Sequence, residues 1–463
     1  MARAKKETAL TPEERLQAAL VPDWEWPYKL PENWCWTRIG NYVDYVTDYV
    51  ANGSFASLKA NVSIFKDENY ALMVKTQDFA NGFTKSLTYT DKHGYDFLSK
   101  STLHGGELIL SNIGSVGKVF RVPYFDRPMT LASNSVMVKC YNSCDYDWMY
   151  YFLLSPIGFE ELKSITTGTA VPKFNKTDLK TIPLPVPPLA EQQRIVDRIE
   201  SLFAKLDEAK EKAQAVVDSF ETRKAAILHK AFTGELTAQW REEHGSSIGH
   251  WKECSIGDVF THTTGKALKR NNQNGILKKY ITTSNLYWGT FDFSEVREMY
   301  FTNEELEKCT AKKGDLLVCN GGDVGRAAIW NYDYDICLQN HISKLRRKTD
   351  SISVPFFYYY FMFLKINGNI AGRGIGIASL SAKDLLAIKV YLPSMTEQQQ
   401  ISHILDELFD KEQQTKEAAE AVLDRIDLMK KSILARAFRG ELGTNDPSEE
   451  STVELLKEII RRG

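Results

Sequence analysis

The sequence has few of the features that mark secreted, membrane-spanning or metal-binding proteins. Its seven cysteines are odd in number and form no CxxC pair, which argues against a disulfide framework or a zinc site. No run of 18 apolar residues is present, and no apolar stretch follows the basic N-terminus, so neither a membrane anchor nor a secretion signal is predicted. A reduced, cytoplasmic chain is the expected class.

Motifs for catalysis are also missing. Residues 111–119, SNIGSVGKV, lack the first glycine and the final Ser or Thr of a phosphate-binding loop. The eight histidines form no HxxxH or HxH cluster, and no clean nuclease or adenine-binding methyltransferase motif occurs. We therefore expect a protein that recognises and organises other molecules, with no catalytic residue, metal or cofactor of its own.

The charge of the chain provides no general basic surface, since the formal net charge is −2. Any surface for nucleic acid must therefore be local. Residues 266–348 are one such region, with 14 Lys or Arg against 10 Asp or Glu. At 463 residues the chain is also too long for one ordinary core, so two or three domains are expected.

The most informative feature is an internal repeat with a shift of 206 residues. AFTGEL at 231–236 returns as AFRGEL at 437–442. EQQRIVDRIESLF at 191–203 aligns without a gap with EQQQISHILDELF at 397–409. Such a repeat predicts a duplicated unit, in which a variable globular part is followed by a constant helix.

Fainter similarities extend the repeat to the segments before the helices. Trp34 corresponds to Trp251, and Asn134 to Asn340. Both variable segments contain β-rich runs, such as GELILSNIG, and one dense aromatic run, WMYYFLLSP or FFYYYFMFLKI. Stacked aromatic rings can hold unpaired bases, but contiguous runs of this length favour a buried helix.

Apolar residues recur at a 4-3 spacing through both copies of the constant segment, which is the pattern of a coiled-coil seam. Gly234 and Gly440 are placed to end the two helices. Two amphipathic helices on separate cores are the alternative, but so narrow and long a seam favours a partner helix. The predicted seam residues are Ile195, Ile199, Leu202, Leu206, Val216 and Phe220 in the first copy and Ile401, Leu405, Leu408, Val422, Ile426 and Ile433 in the second.

With these motifs, the chain resembles the specificity subunits of type I restriction-modification systems. LPENWCWTRIGNY (30–42) is similar to the opening of their target recognition domains. The two EQQ…AF.GEL segments are similar to their spacer helices, and DPSEESTVELLKEIIRRG (446–463) to their C-terminal helix. The resemblance covers nearly the whole chain, and the repeated constellation is highly specific.

The resemblance implies an α+β fold, in which two mixed α/β target recognition domains are joined by two long antiparallel coiled-coil helices in a pseudo-two-fold internal duplication. Thr11 and Glu14 form a capping-box pattern that predicts a short helix over residues 12–20, and we expect this extension to pack against the C-terminal helix. The predicted segments are the N-terminal extension (1–29), the first recognition domain (30–190), the first spacer helix (191–237), the second recognition domain (238–396), the second spacer helix (397–443) and the tail helix (444–463).

The same resemblance implies a non-catalytic DNA-recognition subunit of a prokaryotic methyltransferase and endonuclease complex. Each recognition domain would read one half of an asymmetric, bipartite target in double-stranded DNA that is modified by N6-adenine methylation. The spacer helices would set the gap between the half-sites and dock two methyltransferase subunits, and two restriction-translocase subunits would complete the assembly. S-adenosylmethionine, ATP and Mg would be bound by these partners.

The expected DNA contacts are polar side chains that can address base edges and cations that hold phosphates. Asn134 and Asn340, which both units share, are expected to be scaffold residues because readers of different half-sites should differ. The candidates in the first globular part are Asn112, Ser115, Lys118, Lys173, Asn175 and Lys176. Those in the second are Lys266, Lys269, Arg270, Asn320, Arg326, Gln339, His341 and Arg373.

Two alternative functions stay open on the sequence. A recognition subunit of a type IIG or type IIB-like modification enzyme would share these domains. A purely structural coiled-coil adaptor would need no DNA, and a steep salt dependence of binding to duplex DNA would separate a DNA reader from it.

Overall fold

Contacts divide the chain into two units, each with its own sheets. The structure, a computed structural model, describes residues 11–140, 145–268, 274–370 and 379–462. Unit 1 consists of Met1–Glu211 and Leu423–Gly463, and unit 2 of Lys212–Val422. The described N-terminal and C-terminal segments therefore both belong to unit 1.

The described part of unit 1 has a central antiparallel sheet, a second sheet with a parallel pair, and a two-stranded ribbon. Its strands are β1 (Cys35–Arg38), β2 (Val43–Asp48), β3 (Ala71–Val74), β4 (Tyr89–Thr90), β5 (Thr102–Leu103), β6 (Leu108–Ser111), β7 (Val119–Arg121), β8 (Met129–Leu131), β9 (Ser135–Cys140) and β10 (Pro183–Val186). The central sheet has the order β2-β9-β6-β7, and the second sheet has the order β4-β3-β8-β5 with β3 parallel to β8. Strand β1 pairs with β10.

Unit 2 repeats this topology, which explains why the faint sequence similarity extends beyond the helices. Its strands are β11 (Lys252–Ser255), β12 (Phe260–Thr264), β13 (Ile276–Ile281), β14 (Leu286–Tyr287), β15 (Thr290–Phe291), β16 (Arg297–Phe301), β17 (Thr310–Ala311), β18 (Leu316–Cys319), β19 (Ala327–Ile329), β20 (Ile336–Leu338), β21 (Ile342–Arg347) and β22 (Lys389–Leu392). The central sheet is β12-β21-β18-β19, the second is β16-β13-β20-β17 with β13 parallel to β20, and β11 pairs with β22. The hairpin β14-β15 is an addition in unit 2.

The helices follow the same duplication. Short 3-10 helices lie at Asp23–Glu25, Tyr49–Asn52, Ser99–Ser101 and Ile248–His250. The α-helices are α1 (Pro12–Ala19), α2 (Ile39–Tyr42), α3 (Phe55–Asn61), α4 (Thr76–Ala80), α5 (Lys92–Phe97), α6 (Tyr146–Leu154), α7 (Pro156–Ser164), α8 (Lys176–Leu179), α9 (Leu189–Asp218), α10 (Phe220–Phe232), α11 (Ala238–Glu243), α12 (Ile256–Val259), α13 (Asn303–Cys309), α14 (Val354–Ile366), α15 (Ala382–Leu386), α16 (Met395–Ala437) and α17 (Thr452–Arg462).

The two aromatic runs form helices α6 and α14 and are buried in the cores of their units. Trp148 and Phe152 pack against Phe438, which comes from the AFRGEL segment. Phe356 packs in the same way against Phe232 of the AFTGEL segment. A buried helix, rather than a platform for unpaired bases, is therefore the correct interpretation of these runs.

The N-terminal extension forms the predicted helix and packs against the C-terminal one. Thr11 accepts a hydrogen bond from the Glu14 backbone at 3.2 Å, and Glu14 accepts one from the Thr11 backbone at 2.8 Å. Helix α1 contacts α17, and both contribute apolar side chains to the core of unit 1. The extension is therefore part of unit 1.

The constant segments form long helices that run antiparallel where they pair. In unit 1, Lys430 forms an ion pair with Asp207; in unit 2, Arg223 forms one with Glu412 at 2.7 Å. The first segment is not continuous as predicted, because it breaks at Ser219 between α9 and α10. The Ser219 hydroxyl bonds back to the carbonyl of Ala215 at 2.6 Å, an interaction that competes with the helix ladder.

Most predicted seam residues face the interior of their units, and one does not. Val422 is 40% exposed, whereas its neighbour Leu423 is half-buried, so the prediction was wrong at this position. Gly234 and Gly440 have φ values of +83° and +72° just beyond the helix ends, as expected for terminating glycines. The fully buried seam residues are Ile195, Ile199, Ile401, Leu405 and Ile426, and the half-buried ones are Leu202, Leu206, Val216, Phe220, Leu408 and Ile433.

Candidate nucleic-acid interface

The repeated EQQ motif connects each globular part to its long helix. In unit 1 the carboxylate of Glu191 is fully buried and accepts hydrogen bonds from the Trp34 indole and the Asn445 amide, each at 2.8 Å. Thr444 donates a third at 3.3 Å. A buried carboxylate with several donors fixes the helix start firmly against the globular part.

Unit 2 has the same arrangement with one important difference. Glu397 accepts hydrogen bonds from the Trp251 indole at 3.0 Å and from the Thr237 hydroxyl at 2.8 Å. Its third donor is the guanidinium of Arg241, at 2.6 Å, and the Arg241 side chain is only 8% exposed. The carboxylate of unit 2 is therefore in a buried ion pair, whereas the donors to Glu191 in the described part of unit 1 are neutral.

The glutamine that follows is also structural in both units. The amides of Gln192 and Gln398 each donate to a proline carbonyl, of Pro187 and Pro393 respectively, at 2.9 Å. The repeat pairs Trp34 with Trp251 in the sequence, but their contact with the EQQ motif is seen only in the structure. The signal was present, because Trp and EQQ recur in the same order in both copies.

One end of each central sheet gathers most of the predicted DNA contacts. We call it the polar end. In unit 1, β2 and β6 end there and β7 and β9 begin there, since Asp48 lies beside Val136 and Ser111 beside Ser135. In unit 2, the corresponding strands are β12 and β18, which end there, and β19 and β21, which begin there.

At the polar end of unit 1, the loop after β6 contacts the segment before α8. Ile113 and Lys173 form an isolated β-bridge, and the Asn112 amide donates to the Phe174 carbonyl at 3.3 Å. The structure thus brings the candidates at 112–118 close to those at 173–176. Ser115, Lys118 and Lys173 are exposed there.

Two other candidates of unit 1 have structural partners. Asn175 caps helix α8, accepting hydrogen bonds from the backbone of Thr177 and Asp178 at 2.8 and 2.9 Å. Lys176 forms an ion pair with Asp48 at 3.0 Å. A cap and an existing ion pair explain these residues without DNA, so both are weaker candidates than the exposed lysines.

Several candidates of unit 2 are buried and need correction. Lys266 is 8% exposed, and its ammonium donates to Glu305 at 2.6 Å and to the Tyr300 carbonyl at 2.7 Å. Asn320 is also buried, and its amide donates to the Ser343 hydroxyl at 3.1 Å. Because these side chains are buried and paired within the protein, they hold the loops together and are not accessible to a phosphate or a base edge.

Gln339 is likewise a buried structural residue, whereas His341 beside it is exposed. The side-chain NH2 of Gln339 donates to Asn340 Oδ1 at 2.6 Å, and the side-chain oxygen of Gln339 accepts from the His341 backbone at 3.1 Å. The strand registers equate His341 with Asn134, and Asn340 with Ser133, which corrects the predicted pairing by one residue.

Arg326 occupies the position in unit 2 that Lys118 has in unit 1. Its guanidinium donates to the Thr283 carbonyl at 2.6 Å and lies 5.3 Å from the ring centroid of Tyr287. It also forms an ion pair with Asp323 at 3.4 Å. Lys269, Arg270 and Arg373 lie outside the described residues.

Among the ionisable groups near these loops, Asp78 and Lys344 have pKa values shifted by burial. Burial raises the pKa of the Asp78 carboxyl above its ordinary value, and hydrogen bonding and charge from Lys75 oppose this shift. Burial lowers the pKa of Lys344, whose ammonium donates to the carbonyls of Lys308 and Thr310, both at 2.8 Å. Both groups belong to the scaffold behind the exposed loops.

The part of the chain that the structure describes contains no cluster of three or more His, Cys, Asp or Glu side chains suited to a metal ion. Over the same residues, no helix is both long enough and apolar enough to cross a membrane.

Comparison with known proteins gives one consistent result. A family model described as the type I restriction-modification DNA specificity domain matches residues 45–217 and again 249–423. The specificity subunit of the type I restriction enzyme EcoKI from Escherichia coli K12 is 22% identical over 427 residues, covering 89% of this chain and 90% of that protein. The MjaVIII specificity subunit from Methanocaldococcus jannaschii is 23% identical over 423 residues, covering 86% and 92%.

A solved structure shares the fold. The HsdS subunit from Thermoanaerobacter tengcongensis has a TM-score of 0.62 and 20% sequence identity, covering 90% of this chain and 100% of that one. A chain from a structural study of complex assembly in the type I restriction-modification system has the same TM-score, with 19% identity and the same coverage.

Proposed function

The chain belongs to the type I restriction-modification DNA specificity family, and from this premise we propose that it selects a bipartite DNA target, with one half-site read by the polar end of each unit. The observation that carries the proposal is the repetition of one scaffold with different exposed residues. Lys118 and Lys173 are exposed in unit 1, and His341 is exposed in unit 2. Two copies of a fold with unlike surfaces suit an asymmetric target.

The polar ends suit DNA because they are loops at the end of a rigid sheet. Lysines hold phosphates and set the register, while shorter polar side chains can reach base edges. In unit 2, Asn320, Gln339 and Lys266 are buried and hydrogen-bonded within the protein, so they support the loops of the polar end. Loops supported in this way lose little conformational freedom on binding.

The long helices set the distance between the half-sites and provide docking surfaces for two methyltransferase subunits. Helix α16 has 43 residues and would span about 65 Å at 1.5 Å per residue. The constant segments are similar in sequence, so they offer two similar outer faces, one for each methyltransferase. Leu428 and Met429 of α16 are apolar, more than half exposed and available for docking on one face; the residues 206 positions earlier are Thr222 and Arg223, so this contact differs between the two faces.

Catalysis is assigned to the partners in this proposal. The chain selects the site, the methyltransferase subunits bind S-adenosylmethionine and methylate adenine, and the restriction-translocase subunits use ATP and Mg. This assignment accords with a sequence that has no phosphate-binding loop or methyltransferase motif. The assembly would act on chromosomal and invading DNA in the prokaryotic cytoplasm.

Lengthening the long helices tests the spacing role. Insertion of one heptad after Glu211 in α9, with a matching heptad after Asp424 in α16, lengthens the pair by about 10 Å and preserves the seam, because the Lys210–Asp427 ion pair shows that these positions lie opposite each other. At about 3.4 Å per base pair, the gap between the half-sites is expected to grow by roughly three base pairs, while both half-sites stay the same. Sequencing of methylated DNA measures the gap, and an unchanged gap would contradict the spacing role.

A further inference from the structure

A four-residue turn occurs in both units at the exit of the parallel strand pair. In unit 1 the turn is Lys75-Thr76-Gln77-Asp78, which follows β3 directly and forms the N-terminal end of helix α4; in unit 2 it is Thr282-Thr283-Ser284-Asn285, directly after β13. Each lies beside the polar end, because Val74 and Ile281 are bonded to the segments that lead into β9 and β21.

The register of the two turns is the same. The Ala132 backbone donates to the Val74 carbonyl at 2.9 Å, and the Gln339 backbone donates to the Ile281 carbonyl at 3.0 Å. The residues that follow these carbonyls are therefore equivalent. Gln77 corresponds to Ser284.

The fourth residue holds the turn in both units by the same pair of hydrogen bonds. Asp78 accepts from the Lys75 backbone at 2.8 Å, and Asn285 accepts from the Thr282 backbone at 2.9 Å. The backbone of each fourth residue donates in return to the carbonyl of the first at 3.0 Å. Asp78 and Asn285 are 0% and 5% exposed, so they are scaffold residues.

The turns are also attached to the central sheets. In unit 1, Phe79 just after the turn stacks on Phe120 of β7, with centroids 4.5 Å apart. In unit 2, Arg326 donates to the Thr283 carbonyl at 2.6 Å. The turns are thus rigid parts of the polar ends.

The third residue of each turn is exposed and differs between the units. Gln77 has an amide with two donors and an acceptor; the Ser284 hydroxyl is bonded to the Thr282 hydroxyl at 2.6 Å and keeps a further capacity to donate or accept. We propose that Gln77 and Ser284 are specificity-determining residues, each of which contacts a base edge in the half-site read by its own unit. A Gln side chain can form two hydrogen bonds with adenine, whereas a Ser hydroxyl forms one with any of several bases.

This inference rests on the proposed function. The same pair of hydrogen bonds holds the turn in both units, and the exposed side chain beside it differs. This arrangement suits two units that read different DNA sequences. Arg326 is a positioning residue in this account, because it holds the backbone of the turn that carries Ser284.

Single substitutions in the full chain, expressed with its methyltransferase partner, test the proposal. Gln77→Ala is expected to reduce discrimination at one base pair of a single half-site by about tenfold or more, which is the scale of a lost base contact. Ser284→Ala should reduce discrimination at one base pair of the other half-site, to a smaller degree. Sequencing of methylated DNA gives the discrimination at every position of the target.

Matched controls separate this effect from general damage. Ser351→Ala removes an exposed hydroxyl of unit 2, bonded to Thr349 at 2.7 Å, that lies beyond the far end of β21; Gln17→Ala removes an exposed amide from α1 of unit 1. Both controls should keep wild-type discrimination at every position. The exchange Gln77→Ser gives a second, less disruptive variant at the key position.

The outcomes distinguish the inference from the proposed function. If wild-type methylation falls on a two-part target and Gln77→Ala, Gln77→Ser and Ser284→Ala all keep its discrimination, the inference is wrong and the proposed function stands. If the wild-type chain directs no two-part methylation, the proposed function fails and the inference fails with it. Altered discrimination confined to the half-site of the substituted unit supports both.

Discussion

Replacement of residues 31–181 by the corresponding segment of another specificity subunit is expected to change one half-site entirely and to leave the other unchanged. The replaced segment carries the whole polar end of unit 1, from Asp48 through Lys173. The polar end of unit 2 lies between Thr264 and Ser379 and is untouched. Sequencing of methylated DNA should therefore show a hybrid target with the original gap.

The boundaries of this exchange follow from the structure. Strand β1 lies inside the segment and its partner β10 outside, so the donor must supply a strand that can pair in the same register. The donor must also supply a tryptophan at the position of Trp34, because Glu191 would otherwise lose a buried donor. An exchange that keeps these features and still alters both half-sites would contradict the independence of the two readers.

Substitution of Glu397 by Ala is expected to destabilise unit 2 by about 3–5 kcal/mol, the usual cost of leaving a buried charge without its partner. The unpaired group would be the Arg241 guanidinium, whose side chain is 8% exposed. The Trp251 indole would lose its acceptor as well. Chemical denaturation of the full chain, followed by hydrogen exchange at residues 234–241, measures the loss and locates it.

Glu191→Ala is the matched control, because its donors Trp34, Thr444 and Asn445 are neutral. We expect a smaller loss of about 1–3 kcal/mol, confined to unit 1, from donors left unsatisfied. Equal losses for the two substitutions would show that the ion pair of unit 2 adds nothing to the hydrogen bonds that both units share.

The 206-residue repeat predicted the duplication. The long helices and the helical aromatic runs could be predicted because the spacing of apolar residues along a segment indicates its secondary structure. The structural roles of the repeated motifs EQQ and AF.GEL could not be predicted from their spacing. Glu191 and Glu397 are buried acceptors, and Phe438 lies in the core of unit 1, far along the chain from Trp148. The Trp34–Glu191 and Trp251–Glu397 contacts span 157 and 146 positions, so only the recurrence of Trp and EQQ in both copies, and no pattern within one segment, points to them.

The candidate interface was predicted less well, for a physical reason. Residue type suggested Lys266, Asn320 and Gln339 as contacts, but all three are buried and paired within the loops. Whether a polar side chain faces solvent or supports a loop depends on tertiary packing. The turns at Gln77 and Ser284 were missed for the same reason, because only the parallel strand pairs place them beside the polar ends.

The most direct test of the central claim is to map methylated adenines in the DNA of cells with and without this chain, in the presence of its methyltransferase partner. We predict a single asymmetric target of two unlike half-sites, separated by a fixed number of unspecified base pairs and lost entirely when the chain is removed. Methylation at one contiguous sequence, or methylation that persists without the chain, would contradict the account.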